Sequence, residues 1–157
     1  MRNLFFLFLA LIFVAACQPK PDTAGRSPED PTANKNISEV QKVPIPSAWT
    51  LISCERDGKT IPAVNERCFI ALRDGQIGGN TGCNSFGGDW SGSPAKMKIP
   101  GVMATKMYCE DAAEQESMIL QMLNGTVQLE MVNPKTLLIT SGKEQLRLAR
   151  NDDKLKQ

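Results

Sequence analysis

Five cysteines and no histidine decide what chemistry this chain can attempt. Without an imidazole, the Ser–His and Cys–His pairs that activate a nucleophile are excluded. No two cysteines stand at CxxC spacing, so a tetrahedral zinc site has neither of its usual ligand patterns. Asp89, Glu110, Asp111, Glu114 and Glu116 supply carboxylates, but no spacing among them singles out an acid–base pair. No catalytic residue, metal or cofactor is therefore expected. The densest unusual stretch is Gly78–Trp90 (GGNTGCNSFGGDW), which holds five of the chain's twelve glycines and Cys83. No Gly-Lys-Ser/Thr follows it, so it is not a phosphate-cradling P-loop. No long helix starts there, so it is not a dinucleotide turn. The remaining reading is a sharp corner between strands, where glycine and asparagine tolerate positive φ. Asn84 and Thr105 are the best polar candidates for a buried role, Asn84 bonding the turn backbone and Thr105 filling a strand. Met97, Met103, Met107, Met118, Met122 and Met131 are expected in the core rather than at a ligand site.

Cys17 stands apart from the other cysteines. Arg2 and the apolar run Leu4–Ala16 have the anatomy of a signal peptide, too short to span a bilayer, which takes ~20 residues. The run ends in Val14-Ala15-Ala16-Cys17, which resembles a bacterial lipobox. The resemblance implies a signal peptide over 1–16, cleavage before Cys17, and a lipid on its sulfur. Gln18 follows where enteric lipoproteins retained in the inner membrane carry Asp, so the expected address is the outer membrane, facing the periplasm. Residues 17–47 hold Pro19, Pro21, Pro28, Pro31, Pro44 and Pro46 with few large apolar groups. This lipidated stretch reads as a disordered tether. The chain has 18 basic and 17 acidic residues, and Arg2 leaves with the signal peptide. Such a balanced surface does not attract nucleic acid, and the expected membrane contact is the lipid anchor alone.

Cys54, Cys68, Cys83 and Cys109 remain. An even number in an exported chain reads as two disulfides, for which three connectivities exist. The favoured one pairs Cys54 with Cys68 and Cys83 with Cys109. In an antiparallel pair with Cys54 facing Cys68, Ile52 faces Ile70 on the same side. Trp49 and Leu51 then lie on the opposite face, so either both faces are covered or a bulge intervenes.

The elements that must position these residues are mostly strands. Residues 48–150 make one domain, and 151–157 a charged C-terminal tail. Strands are expected at Trp49–Glu55, Cys68–Arg73, Gln76–Asn80, Ser85–Trp90, Lys96–Ile99, Val102–Tyr108, Thr126–Val132, Thr136–Thr140 and Gln145–Ala149. Asp57-Gly58 and Asp74-Gly75 are hairpin signals. Glu110–Leu123 is rich in helix formers, opens with acids at the positive end of the dipole and stops at Asn124-Gly125. Its inner stripe is read as Ala112, Ala113, Glu116, Ile119, Leu120 and Leu123, which obliges Glu116 to find a partner. The fold class is α+β: mainly antiparallel strands in a small barrel-like sheet with one helix. A monomer is expected.

Trp49-x-Leu51, then Asp74-Gly75-x-Ile77-x-Gly79-x-x-Gly82-Cys83-Asn84-x-Phe86-x-Gly88, then Ala104-Thr105-x-Met107-x-Cys109 make a pattern over nearly all of 48–150. It resembles the META domain family, which includes HslJ-type heat-shock lipoproteins. Trp90 stands where the family often has tyrosine, and the Cys54–Cys68 loop is bracketed by an additional pair of cysteines. The resemblance implies a compact antiparallel barrel-like sheet with a helix, and structural duty for Trp49, Gly79, Gly82, Asn84, Phe86, Gly88, Thr105 and Met107. It also implies a non-enzymatic role linked to envelope stress, drug tolerance or secretion. The function expected is binding of an envelope protein or an apolar ligand. The alternatives are inhibition of a hydrolase such as lysozyme, and escort of a secretion pore as a pilot protein.

Overall fold

The computed structural model describes residues 42–157. The signal-type run, Cys17 and most of the tether lie outside the described residues. Eleven strands form one sheet: β1 (Ser47–Arg56), β2 (Lys59–Pro62), β3 (Phe69–Arg73), β4 (Gln76–Asn80), β5 (Ser85–Asp89), β6 (Ser91–Ser93), β7 (Lys96–Ile99), β8 (Met103–Ala104), β9 (Gly125–Asn133), β10 (Thr136–Ser141) and β11 (Glu144–Arg150). A 3-10 turn (Glu110–Ala112) leads into the helix α1 (Ala113–Met122), and a second 3-10 helix (Asp152–Lys156) closes the chain. The strand order is β6-β7-β9-β10-β11-β1-β3-β4-β5-β8, with β2 paired to β1. Every pairing is antiparallel. The sheet curls into a half-barrel whose two end strands, β6 and β8, do not meet.

The Asp-Gly pairs turn hairpins as their chemistry requires. Asp57 and Gly58 both have positive φ (51° and 76°) between β1 and β2, the geometry that suits the right-handed twist of the strands. After Asp74-Gly75, β4 returns against β3, and Trp90 closes that turn by donating its backbone N–H to Gly75 O at 2.9 Å. Glycine is compulsory at position 79 for a different reason. A Cβ there would lie 2.0 Å from the Phe69 carbonyl oxygen, so β3 and β4 could not hold their register.

The β1 register differs from the expected one. Ile70 faces Trp49, not Ile52, and the Leu51 N–H donates to Cys68 O. A bulge falls between Leu51 and Ser53 against β11, leaving Ile52 outside at 45% exposure. The extra residue lets Trp49, Leu51 and Cys54 all turn inward. An unbulged strand would send Leu51 and Cys54 to opposite faces.

The concave side is filled. Trp49, Ile70, Leu72, Met97, Ile99, Leu137, Ile139, Leu146 and Leu148 are all 0–1% exposed, and α1 adds Met118, Ile119 and Met122. The buried face of α1 is rotated from the expected stripe. Gln115, Met118, Ile119 and Met122 point inward while Ala113 is exposed. Three boundaries also move. Val43 is buried and Ile45 packs on the core, so ordered chain begins inside the stretch read as a tether. Residues 152–156 fold back rather than trail. Asp152 Oδ1 accepts from Ala48 N–H at 3.1 Å, and Asn151 N–H donates to Ala48 O at 2.8 Å. Of Val102–Tyr108 only Met103–Ala104 is strand.

Candidate functional site

The glycine-rich stretch lies between β4 and β5 and makes a tight turn. Thr81 N–H donates to Asn84 O at 2.8 Å, and Thr81 Oγ1 accepts from Asn84 N–H at 3.0 Å. Gly82 has φ +103°, and a Cβ on it would meet Gln115 Nε2 at 2.9 Å. Cys83 is bonded to Cys109 with Cα atoms 6.0 Å apart, as expected from the sequence.

Thr81, not Asn84, satisfies the turn backbone, which leaves the Asn84 side chain to work at longer range. It is fully buried, and both ends of its amide are used. Nδ2 donates to Met107 O at 2.9 Å and to the Glu116 carboxylate, 2.9 Å from each oxygen. Oδ1 accepts from Thr105 Oγ1 and from Met107 N–H, each at 2.7 Å. Glu116 thereby finds the partner its position demanded, and Thr81 Oγ1 donates to it as well. Thr105 sits just past β8 rather than within a strand, its N–H bonded to Ser85 O at 3.0 Å. One asparagine thus ties the β4–β5 turn, the segment after β8 and the helix together.

The next layer was not legible in the sequence. Gln115 accepts from Val64 N–H at 3.0 Å and donates to Thr81 O. Asn65 donates to Gly82 O at 3.1 Å and accepts from Arg67 N–H at 3.0 Å. These residues stitch the 63–67 loop to the same turn. A glutamine among apolar helix residues on the α1 stripe was the available signal. Among the described residues, no buried side-chain polar atom lacks a partner. A fully satisfied buried network specifies a structure and offers no free group to a substrate.

The other candidates separate cleanly. Trp49, Phe86, Met97, Met118 and Met122 are core; Met131 is half-buried against it. Met103 and Met107 are not core as expected: their side chains are 85% and 60% exposed. Met107 serves the network through its backbone alone. Gly88 lies where a Cβ would meet Gly101 O at 2.6 Å. The expected Cys54–Cys68 bond is absent, and both residues are buried free thiols. The β1 register seats Cys68 beside Leu51 instead of across from Cys54. Burial pushes the Cys54 thiol up to about 11, and burial, with repulsion from Cys54, pushes Cys68 higher still. Such thiols are poor nucleophiles. No group of three or more Cys, Asp or Glu gathers as a metal site among the described residues.

This half-barrel, with the turn, the disulfide and the asparagine that binds them, coincides with a family pattern: the model of the META domain matches residues 42–153. The chain belongs to the META domain family. No curated protein matches it. Several solved structures are similar, three of them as follows. One NMR structure is 23% identical, covers 71% of this chain and 92% of its own, and has a TM-score of 0.53. An NMR structure of a protein from Burkholderia xenovorans is 17% identical, covers 87% and 99%, and has a TM-score of 0.55. A crystal structure of a lipocalin-like protein from Bacteroides uniformis is 14% identical, covers 68% and 98%, and has a TM-score of 0.48. At these identities the first two show a shared fold and nothing beyond it.

Proposed function

We propose that this META domain protein is a lipid-anchored, non-enzymatic binding protein of the outer membrane. Its partner is a segment of another envelope protein laid along the open β8 edge of the sheet. The observation that carries the reading is the display of Met103, Met107 and Tyr108, exposed at 85%, 60% and 85%. These three apolar side chains stand on six residues of chain at the end of the sheet, where β8 has a neighbour on one side only. Large exposed apolar groups in one short segment mark interaction surfaces, and an open strand edge accepts an added segment.

The latch explains why the display costs little on binding. Ser85 O, both amide ends of Asn84 and the Cys83–Cys109 bond hold the backbone of residues 105–109 in place. A pre-ordered segment loses less conformational entropy when a partner docks. The filled concave side favours a protein partner over an apolar small molecule inside the half-barrel, because Trp49, Met97 and Met122 occupy that space. The absence of histidine, with buried high-pKa thiols and a buried polar network that leaves no group free, supports the non-enzymatic reading.

A photoreactive phenylalanine analogue placed at position 108 tests the surface in intact envelopes, with the same analogue at exposed position 130 as control. Capture of one envelope protein from 108 alone is expected. A secretin subunit as that protein would favour the pilot role. Inhibition of lysozyme by the purified chain would favour the inhibitor. Equal capture from both positions would reject the edge.

A further inference from the structure

A second surface lies on the outer face of β3, away from the β8 edge. Phe69, Ala71 and Arg73 alternate with the core residues Ile70 and Leu72, so they point out of the half-barrel; Phe69 is half-buried and Arg73 exposed, while Ala71 is itself covered. Gly78, directly opposite Ala71 on β4, has no side chain to rise from the floor. The C-terminal 3-10 helix crosses nearby, bringing Lys154 over the Phe69 ring at 5.3 Å and tying Leu155 O to Arg73 Nη2 at 2.8 Å. Together with Arg67 these residues line a hollow of about 440 Å³. That volume is in the range of small-molecule sites.

The charged side chains of the hollow are all basic, and Gln157, the last described residue, lines it beside them. Arg67, Arg73 and Lys154 line the hollow, and no Asp or Glu does. None of the three makes an ion pair among the described residues, although the chain as a whole is nearly neutral. Arg67 and Arg73 stand six residues apart in sequence, roughly 20 Å along an extended chain before their long side chains reach inward. Phe69 and Gly78 supply the apolar part of the lining, and Asn80 and Ser85 add polar groups.

We propose that this hollow binds a small elongated organic anion, with a flat apolar body over Phe69 and Gly78 and acidic groups toward the arginines. Guanidinium forks suit carboxylate, sulfonate or phosphate ends, and a flat body can stack on the Phe69 ring over the low floor at Gly78.

The test is titration calorimetry and backbone NMR on the full chain in nonionic detergent, with 2,6-naphthalenedicarboxylate as the probe. The 2,6-dimethanol analogue and inorganic phosphate are the comparisons. The dicarboxylate is expected to saturate, to shift the amides of Phe69, Gly78 and Lys154, and to weaken as salt rises. Arg67→Gln should weaken it about three- to tenfold, the range for one partly exposed charged contact. Arg67 is the clean variant because its side chain makes no hydrogen bond among the described residues, whereas Arg73 also holds the C-terminal helix. Arg73→Gln and Lys154→Gln, with unchanged melting temperature, should act in the same direction. Equal binding of the dimethanol analogue would overturn the proposal. So would equal binding of phosphate, shifts centred elsewhere, or no saturation of the dicarboxylate.

Discussion

Replacing Asn84 with alanine removes the one side chain that reaches three parts of the fold. The Thr105 hydroxyl, the Met107 N–H and C=O and one side of the Glu116 carboxylate lose their partner together. A buried neutral hydrogen bond contributes ~1 kcal/mol net and one to a charged group ~2 kcal/mol. Water reaches Glu116 and Met107 and recovers part of this, so the expected loss is ~3–5 kcal/mol. In a domain of this size each kcal/mol lowers the melting temperature by ~4 °C, so Asn84→Ala should melt roughly 12–20 °C below wild type. Calorimetric or circular-dichroism melts read this directly. Asn84→Asp adds a sign. It sets a second carboxylate against Glu116, so one carboxyl in the folded protein holds its proton above the ordinary carboxyl pKa of ~4. The variant should therefore be least destabilised below pH ~4 and lose stability as pH rises. A loss under ~1 kcal/mol for Asn84→Ala, or an Asn84→Asp penalty that does not change with pH, would refute the latch.

Cys83→Ala and Cys109→Ala should each cost ~3.5 kcal/mol by the loop-entropy model for a 26-residue separation. Their double variant should cost no more, because both remove one bond; additive losses in denaturant melts would break the pairing. Gly79→Ala should cost more than ~3 kcal/mol, since its Cβ would overlap the Phe69 carbonyl; a melting temperature close to wild type would mean that β3 and β4 are less tightly registered. Cys54 and Cys68 should resist a thiol reagent in the folded protein and react on unfolding without reductant; silence on unfolding would show that they are bonded. Their raised pKa values make their contribution complete below pH ~8.5 and lost as pH climbs through about 11, so alkaline melts should fall less in a Cys54→Ala/Cys68→Ala variant. Cys17→Ser should leave the membrane fraction or remain as uncleaved precursor; unchanged detergent partitioning would reject the anchor.

What the sequence revealed was what local chemistry decides. Asp57-Gly58 and Asp74-Gly75 announce hairpins because the turn needs positive φ, and both hairpins form. The Gly78–Trp90 stretch reads as a corner because few other functions fit its residues, and a corner is what Thr81 and Cys83 make. The helix was found from composition and its stop signal, but its phase was not. Gln115 turns inward only because Thr81 O and the Val64 N–H wait for it, and both come from other parts of the chain. The Cys54–Cys68 pairing failed because β3 meets β1 at Trp49–Ile70, which leaves Cys68 beside Leu51 while Cys54 lies opposite Ile61 of β2; the bulge at Ile52, an option to which Trp49 and Leu51 had pointed, turns both inward together with Cys54. The tether boundary failed because Val43 and Ile45 are two apolar residues among prolines, and their burial depends on a core completed elsewhere. Met103 and Met107 read as core because methionine usually is, and nothing local shows that the strand ahead of them stops after two residues.

The Gly82-Cys83-Asn84 corner is scaffold, and the Met103–Tyr108 edge is the surface proposed to bind. The most direct test is a Met103→Ser/Met107→Ser/Tyr108→Ser variant, with melting temperature and envelope-protein capture measured on the same preparations. Capture is followed from a photoreactive group at the neighbouring position 106. The side chains removed are exposed, so the melting temperature should stay within ~2 °C of wild type, while capture should fall at least tenfold. Undiminished capture with an unchanged melting temperature would contradict the account.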